Sequence, residues 1–200
     1  MTTIALEEVS RLRARIAEAQ AMAGARFRDA FANAPLDPLA HLELQAAALL
    51  ECAEGVRARG AVHYDVANGV TTPYVVRGEP LYRFFDIDRR PEAVLEYWLI
   101  VSEIVGSSAW RVTRLIATPD DYDAALRRMQ SPQLVRALVV SHLPDCDLRD
   151  DGSALLDVTV YSRAGEERIE RRSLLLDPQN EFHYHGRELL AEGRGGVNVD

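Results

Sequence analysis

An α+β fold is predicted by three observations. Two amphipathic helical stretches open the chain, two stretches of strand-like sequence broken by turn residues follow, and a run that is apolar on nearly every side stands between those two. The expected architecture is an N-terminal antiparallel helical hairpin and two antiparallel β-meanders, about seven strands in all, packed around one buried helix. The expected organisation is one domain over residues 1–190, with the helical hairpin in 1–60, the sheet-containing body in 61–190 and a flexible tail at 191–200.

The first helix is marked by Thr3 as a cap, by Glu7 and Glu8 at the positive end of the dipole, and by an apolar stripe through Val9, Leu12, Ile16, Ala19, Ala23, Phe27 and Ala30. Gly24 suggests a kink or a close helix contact. Asn33-Ala34-Pro35-Leu36 breaks the helix, and Asp37-Pro38 starts a second one through Leu39, Leu42, Ala46, Leu49, Ala53 and Val56, which Gly60 ends. Short connection and matching stripes give a hairpin.

Asn68-Gly69 supplies the positive φ angles of a tight hairpin turn between VHYDVA and VTTPYVV. Gly78-Glu79-Pro80 turns into LYRFFDI, so residues 61–87 read as a three-stranded meander. Residues 91–105, PEAVLEYWLIVSEIV, form the buried helix: Pro91 suits its first turn, Gly106 its end, and only Glu92, Glu96 and Glu103 interrupt its apolar surface. Residues 109–118 read as a strand. Thr118-Pro119-Asp120-Asp121 caps a helix with Tyr122, Ala125, Leu126 and Met129 inward, and Ser131-Pro132 starts a short helix through Val139. Residues 143–153 read as an acidic loop.

The last third reads as the second meander, ALLDVTVYSR, ERIERRSLLLD and EFHYHGREL. With Ala164-Gly165 and Pro178-Gln179 centring its turns, Val160 faces Ile169, Asp157 faces Arg172, Leu175 faces Phe182 and Arg172 faces His185. This register gathers Asp157, Glu170, Arg172, His183 and His185 on one polar face.

Composition narrows function. The net charge of −8 excludes the basic footprint of a general nucleic-acid binder and disfavours an anionic membrane surface. All 23 basic residues are arginine, which removes Schiff-base, Walker-type and general-base lysine chemistry. Two cysteines, Cys52 and Cys146, an N-terminus without a secretory pattern and no window of membrane-spanning length point to a cytoplasmic protein with two thiols. No G-x-S-x-G, P-loop, GxGxxG, H-E-x-x-H or CxxC is present.

Candidate ligand-binding residues are His183, His185, Arg172 and Asp157. Alternation puts both imidazoles on one face, where a third ligand such as Asp157, Glu170 or His63 could complete a metal site, while Arg172 favours an anion. Weaker candidates are His142 with Cys146, His63 with Asp65, Asp86-Ile87-Asp88 with Arg89-Arg90, and the buried-helix carboxylates Glu96 and Glu103, which are expected to meet arginines. No cofactor is named by these residues. The expected function is that of a non-catalytic accessory or adaptor protein that binds another protein or a second copy of itself. The alternative is a small-molecule anion or metal binder, or an enzyme, using the polar face of the second meander.

Overall fold

The computed structural model describes residues 1–32, 37–106, 113–136, 141–163 and 166–193. In chain order the elements are β1 (Thr2–Thr3), α1 (Leu6–Phe31), α2 (Pro38–Cys52), β2 (Val56–Ala58), β3 (His63–Ala67), β4 (Val70–Tyr74), β5 (Phe85–Ile87), α3 (Pro91–Gly106), β6 (Thr113–Ile116), α4 (Pro119–Arg128), β7 (Gln133–Leu134), β8 (Asp145–Leu148), β9 (Ala154–Ser162), β10 (Glu167–Leu176) and β11 (Phe182–Gly193). The α+β class and the N-terminal helical hairpin stand. The strands are more numerous than the seven expected, because β1, β2, β7 and β8 are short and carry little alternation. The chain divides into two compact units, Glu7–Ser108 and Met1–Leu6 with Ala109–Asp200.

In Glu7–Ser108, α3 is the core. Val94, Leu95, Tyr97, Trp98, Ile100 and Ile104 are buried, as a helix apolar on nearly every side requires. Val9, Leu12, Ala19 and Ala23 of α1 and Ala46, Ala48 and Leu49 of α2 are buried as well. Phe27 packs edge-on against His41 with ring centroids 4.9 Å apart, joining α1 to α2. A Cβ on Gly24 would meet only the side chain of Arg28, so no close helix contact explains that glycine.

Two expectations fail here. The second helix ends at Cys52 rather than at Gly60: Ala53 is extended, and Val56–Ala58 is strand β2. The first meander is two separate ribbons. Asn68-Gly69 does turn β3 into β4, with φ of 53° and 75°. LYRFFDI, however, opens with a 3-10 turn at Leu81–Phe84, and β5 pairs with β2 instead of β4.

The cause of the early helix end is Glu96. This carboxylate is 3% exposed on α3. It accepts the backbone N–H of Gly55 at 2.7 Å and of Glu54 at 3.2 Å, and lies 3.1 Å from the Arg15 guanidinium. A buried carboxylate must be paired and hydrogen-bonded, and here it takes the donors of the chain leaving α2. The approach needs glycine: a Cβ on Gly55 would lie 2.5 Å from Cβ of Ala93 and 3.1 Å from the Glu96 carboxylate.

In the other unit, β1, β8, β9, β10, β11 and β7 follow one another across a sheet, and β6 pairs with β9 beside β8. The segment expected as an acidic loop therefore contains β8. Thr3, expected to cap α1, instead pairs across β1 with Asp145, its hydroxyl 2.6 Å from that carboxylate. Thr118 caps α4 in a capping box with Asp121, as expected. Ala125 and Met129, with Tyr122 and Leu126, pack on Ile116, Tyr161, Ile169, Leu190 and Ala191. Gln133–Leu134 is a strand paired with β11, not the start of a helix; Val135 and Arg136 donate to the carbonyl of Leu190, and the rest of that expected helix, from residue 137 to Val139, lies outside the described residues. Of the strand expected at 109–118, Thr113–Ile116 is β6, and residues 109–112 lie outside the described residues. Residues 191–193, expected in the tail, belong to β11, and the rest of that expected tail lies outside the described residues.

The β9–β10–β11 meander exists, but its register differs from the expected one by one residue between β9 and β10 and by one or two at the expected pairs between β10 and β11. Ile169 faces Tyr161, and Arg172 faces Val158 rather than Asp157. On the other side Leu175 faces His183, and Arg172 faces Arg187. β-Bulges between Ile169 and Glu170 and between Ser173 and Leu174 account for the shifts along β11.

Glu96→Gln is expected to lower unfolding stability by about 3 kcal/mol, the scale of a broken buried ion pair. Gly55→Ala is expected to cost about 1–3 kcal/mol through overpacking against Ala93. Urea denaturation measures both; a loss under about 0.5 kcal/mol for either, the scatter of neutral surface changes, would deny that this contact braces the unit.

Candidate functional site

The four predicted ligand-binding residues do not converge. A one-residue slip moves side chains to the other face of a strand, and the bulge at Ser173/Leu174 leaves His185 as the extra residue of β11 between Tyr184 and Gly186. Arg172 and His185 share an open groove on the β9–β11 unit, with Arg168, Glu170, Tyr184 and Arg187. His183 stands on the opposite face, across from Leu175 and bonded to Asp177 at 2.9 Å. Asp157 is on that face as well, beside Ser173. There Arg171 reaches Asp145 at 2.8 Å and Asp157 at 3.7 Å, which makes Asp157 part of a cross-strand ion-pair row.

In the groove Glu170 is the buried member. Its Oε1 accepts from Arg172 Nε at 2.5 Å, and its Oε2 lies 3.7 Å from Arg187 Nε. Arg168 pairs with Glu166, and the Arg172 guanidinium lies 5.8 Å from the centre of the Tyr184 ring. Tyr184 is 70% exposed. The sequence offered one signal for this groove, the ERIERR run of β10, whose charges at residues 168, 170 and 172 alternate onto a single face.

Among the described residues, the three metal-ligating side chains whose donor atoms converge are Asp177, Glu181 and His183, within 4.8 Å of one another. They sit at the β10–β11 turn, which already uses the side chains of Asp177 and His183 and the backbone N–H of Glu181. Asp177 Oδ1 accepts the N–H groups of Gln179 and Glu181, each at 2.9 Å, and Oδ2 meets His183. Partial burial pushes the Asp177 carboxyl up, but the bonds from His183 and these N–H groups outweigh it and hold it below the ordinary aspartate value.

The weaker candidates resolve into local structure. His63 bonds Glu43 at 3.0 Å while Asp65 bonds Arg77 at 2.6 Å, so they form no acid–base pair. Asp86 and Asp88 lie by Arg59 and Arg90. His142 packs on Tyr122 with ring centroids 5.2 Å apart, and burial lowers its pKa. Cys146 is buried in β8, and neither cysteine is in a disulfide. Glu103 meets Gln20 and Gln45 rather than an arginine.

A second concavity lies wholly within Glu7–Ser108. Phe31 at the end of α1, Leu44, Ala47 and Leu50 of α2, and Ala61 and Val62 before β3 line an apolar groove. Leu44 and Leu50 are only half-buried there. Its rim carries Glu43, Glu51, Arg57 and His63. Glu51 is held by Arg26 through two hydrogen bonds at 2.8 and 3.1 Å, which lower its carboxyl pKa. The sequence points to the two helices but not to this groove, because Ala61 and Val62 read as the start of the first meander.

No helix among the described residues is long and apolar enough to cross a membrane. Compared with protein-family models, with curated proteins and with solved structures, the chain matches none.

Asp177→Asn is expected to lower stability by about 1 kcal/mol at neutral pH, the net worth of a hydrogen bond. Because the folded-state pKa is depressed, that contribution is present above the ordinary aspartate value and is lost as pH falls through the folded one. The gap between wild type and variant should therefore close as the pH is lowered below about 4. Thermal melts at pH 7 and pH 3 test this; a gap that is equal at both would remove the carboxylate from the turn's energetics.

Proposed function

We propose that this chain is a non-catalytic, cytoplasmic accessory protein that binds another protein, and that the apolar groove of the α1–α2 hairpin holds an apolar segment of that partner. One observation carries the reading: Phe31, Leu44, Ala47 and Leu50 leave apolar surface uncovered on the two helices, continuous with Ala61 and Val62. Apolar helix-in-groove binding is a recurrent way of holding a peptide segment. The sequence adds support, since it lacks nucleophile-elbow, phosphate-loop and zincin motifs, and both cysteines stand outside disulfides.

Charge selects among partners. Glu43 on the rim has His63 as its ion-pair partner, which is charged only when protonated. Together with the net charge of −8, this favours a segment in which a lysine or arginine flanks two or three large apolar residues. Burying one leucine-sized side chain is worth about 1.5–3 kcal/mol, so loss of one wall of the groove should weaken binding tenfold or more.

The test is selection of random peptides displayed on phage against the whole chain, followed by titration of labelled peptides. Apolar sequences with a basic flank should be enriched, and Leu44→Asp should weaken them at least tenfold while leaving the thermal melt near wild type. Failure to enrich any such sequence, or binding that survives Leu44→Asp, would overturn the reading. A dimer dissolved by Leu44→Asp would assign the groove to a second copy of this chain.

A further inference from the structure

The open groove on β9–β11 is organised around one carboxylate that its neighbours do not satisfy. Glu170 is 4% exposed, and its Oε2 has no hydrogen-bond partner. Leaving a buried charged acceptor unmade is costly unless something else supplies a donor. The group over it is Arg187, at 3.7 Å and with a side chain 59% exposed, so more than half of the Arg187 side chain already faces solvent and it has room to turn outward. Charge in the groove is also unbalanced: three guanidinium groups, Arg168, Arg172 and Arg187, face the two carboxylates Glu166 and Glu170. That surplus stands out in a chain whose net charge is −8.

From these two facts we propose that the groove binds a small carboxylic acid that carries a hydroxyl next to its carboxylate. Arg187 and Arg172 receive the carboxylate in their planar forks, and the hydroxyl donates to Glu170 Oε2. The surplus of one positive charge matches a monoanion. A phosphate monoester, near −2, overcompensates it, and an amino acid brings an ammonium that cancels its own carboxylate. Tyr184, 70% exposed beside the Arg172 guanidinium, gives a planar substituent a ring to lie against. This site belongs to the unit containing β9–β11 and is independent of the apolar groove proposed above.

The probes are mandelate, phenylacetate, which differs from it by lacking the hydroxyl, and inorganic phosphate, each titrated calorimetrically into the whole chain. Mandelate should bind about tenfold more tightly than phenylacetate, the factor supplied by a hydrogen bond to a charged acceptor, and more tightly than phosphate. Arg187→Gln, at an exposed position, should weaken mandelate at least tenfold. Glu170→Gln should bring mandelate and phenylacetate to the same affinity. Equal affinity of the two acids for the wild-type chain, tighter binding of phosphate, absence of mandelate binding at millimolar concentration, or mandelate binding that Arg187→Gln leaves unchanged would each overturn the proposal.

Discussion

Each unit of this chain depends on a buried glutamate that closes the end of a helix belonging to another part of the sequence. Glu96 takes the N–H groups of Glu54 and Gly55, just past α2. Glu167, fully buried on β10, takes the N–H of Gln130 at 2.8 Å, just past α4. Each is joined by an arginine, Arg15 at 3.1 Å and Arg163 at 3.1 Å. Each also lies against a glycine that has no room for a Cβ at ordinary distance, Gly55 and Gly193. An isolated carboxylate in these places would be prohibitive. Supplied with backbone donors and a guanidinium, it becomes a long-range tie that sets where a helix stops and how the following chain departs.

This device explains what the sequence could and could not disclose. Helix positions followed from periodicity and local caps: the Thr118-Pro119 start of α4, the Asn68-Gly69 turn and the buried α3 all rest on residues adjacent in sequence. The end of α2 does not. Leu49, Ala53 and Val56 continue a helical stripe, and nothing within that stretch shows that Glu96, on α3, takes the N–H groups of Glu54 and Gly55. The glutamate itself was legible as a carboxylate in need of an arginine, yet twenty-three arginines are available and pattern alone does not choose Arg15. Glu103 shows the same limit from the other side, since it is met by two glutamines.

The candidate site failed to read out for a related reason. Alternation places His183 and His185 together only while β11 stays regular, and the register of β10 against β11 changes twice along its length. One extra residue at the bulge sends His185 toward Arg172 and leaves His183 with Asp177. A single-residue slip against β9 likewise separates Asp157 from Arg172 and gives it to Arg171. Charges that attract at more than one spacing specify register weakly, and β10 offers arginines at 168, 171 and 172 with carboxylates on both neighbouring strands. The apolar residues decide: Ile169 must meet Tyr161, Leu190 and Ala191 beneath α4, and the charged residues fall where that packing leaves them.

The absence of lysine also has a physical consequence. Arg15 reaches Glu54 at 2.8 Å with one terminal nitrogen and Glu96 at 3.1 Å with the other, and Arg171 spans Asp145 and Asp157. A planar, weakly hydrated fork can bridge two acceptors in this way, whereas an ammonium is a strongly hydrated point charge. Glu96 and Glu167 each combine such a guanidinium with backbone donors and are thereby satisfied. Glu170 has two guanidinium neighbours and no backbone donor among its hydrogen-bond partners, and one of its oxygens stays unmatched. The same chemistry that closes the fold at two buried glutamates is left open at the third, and that third one lies in a groove.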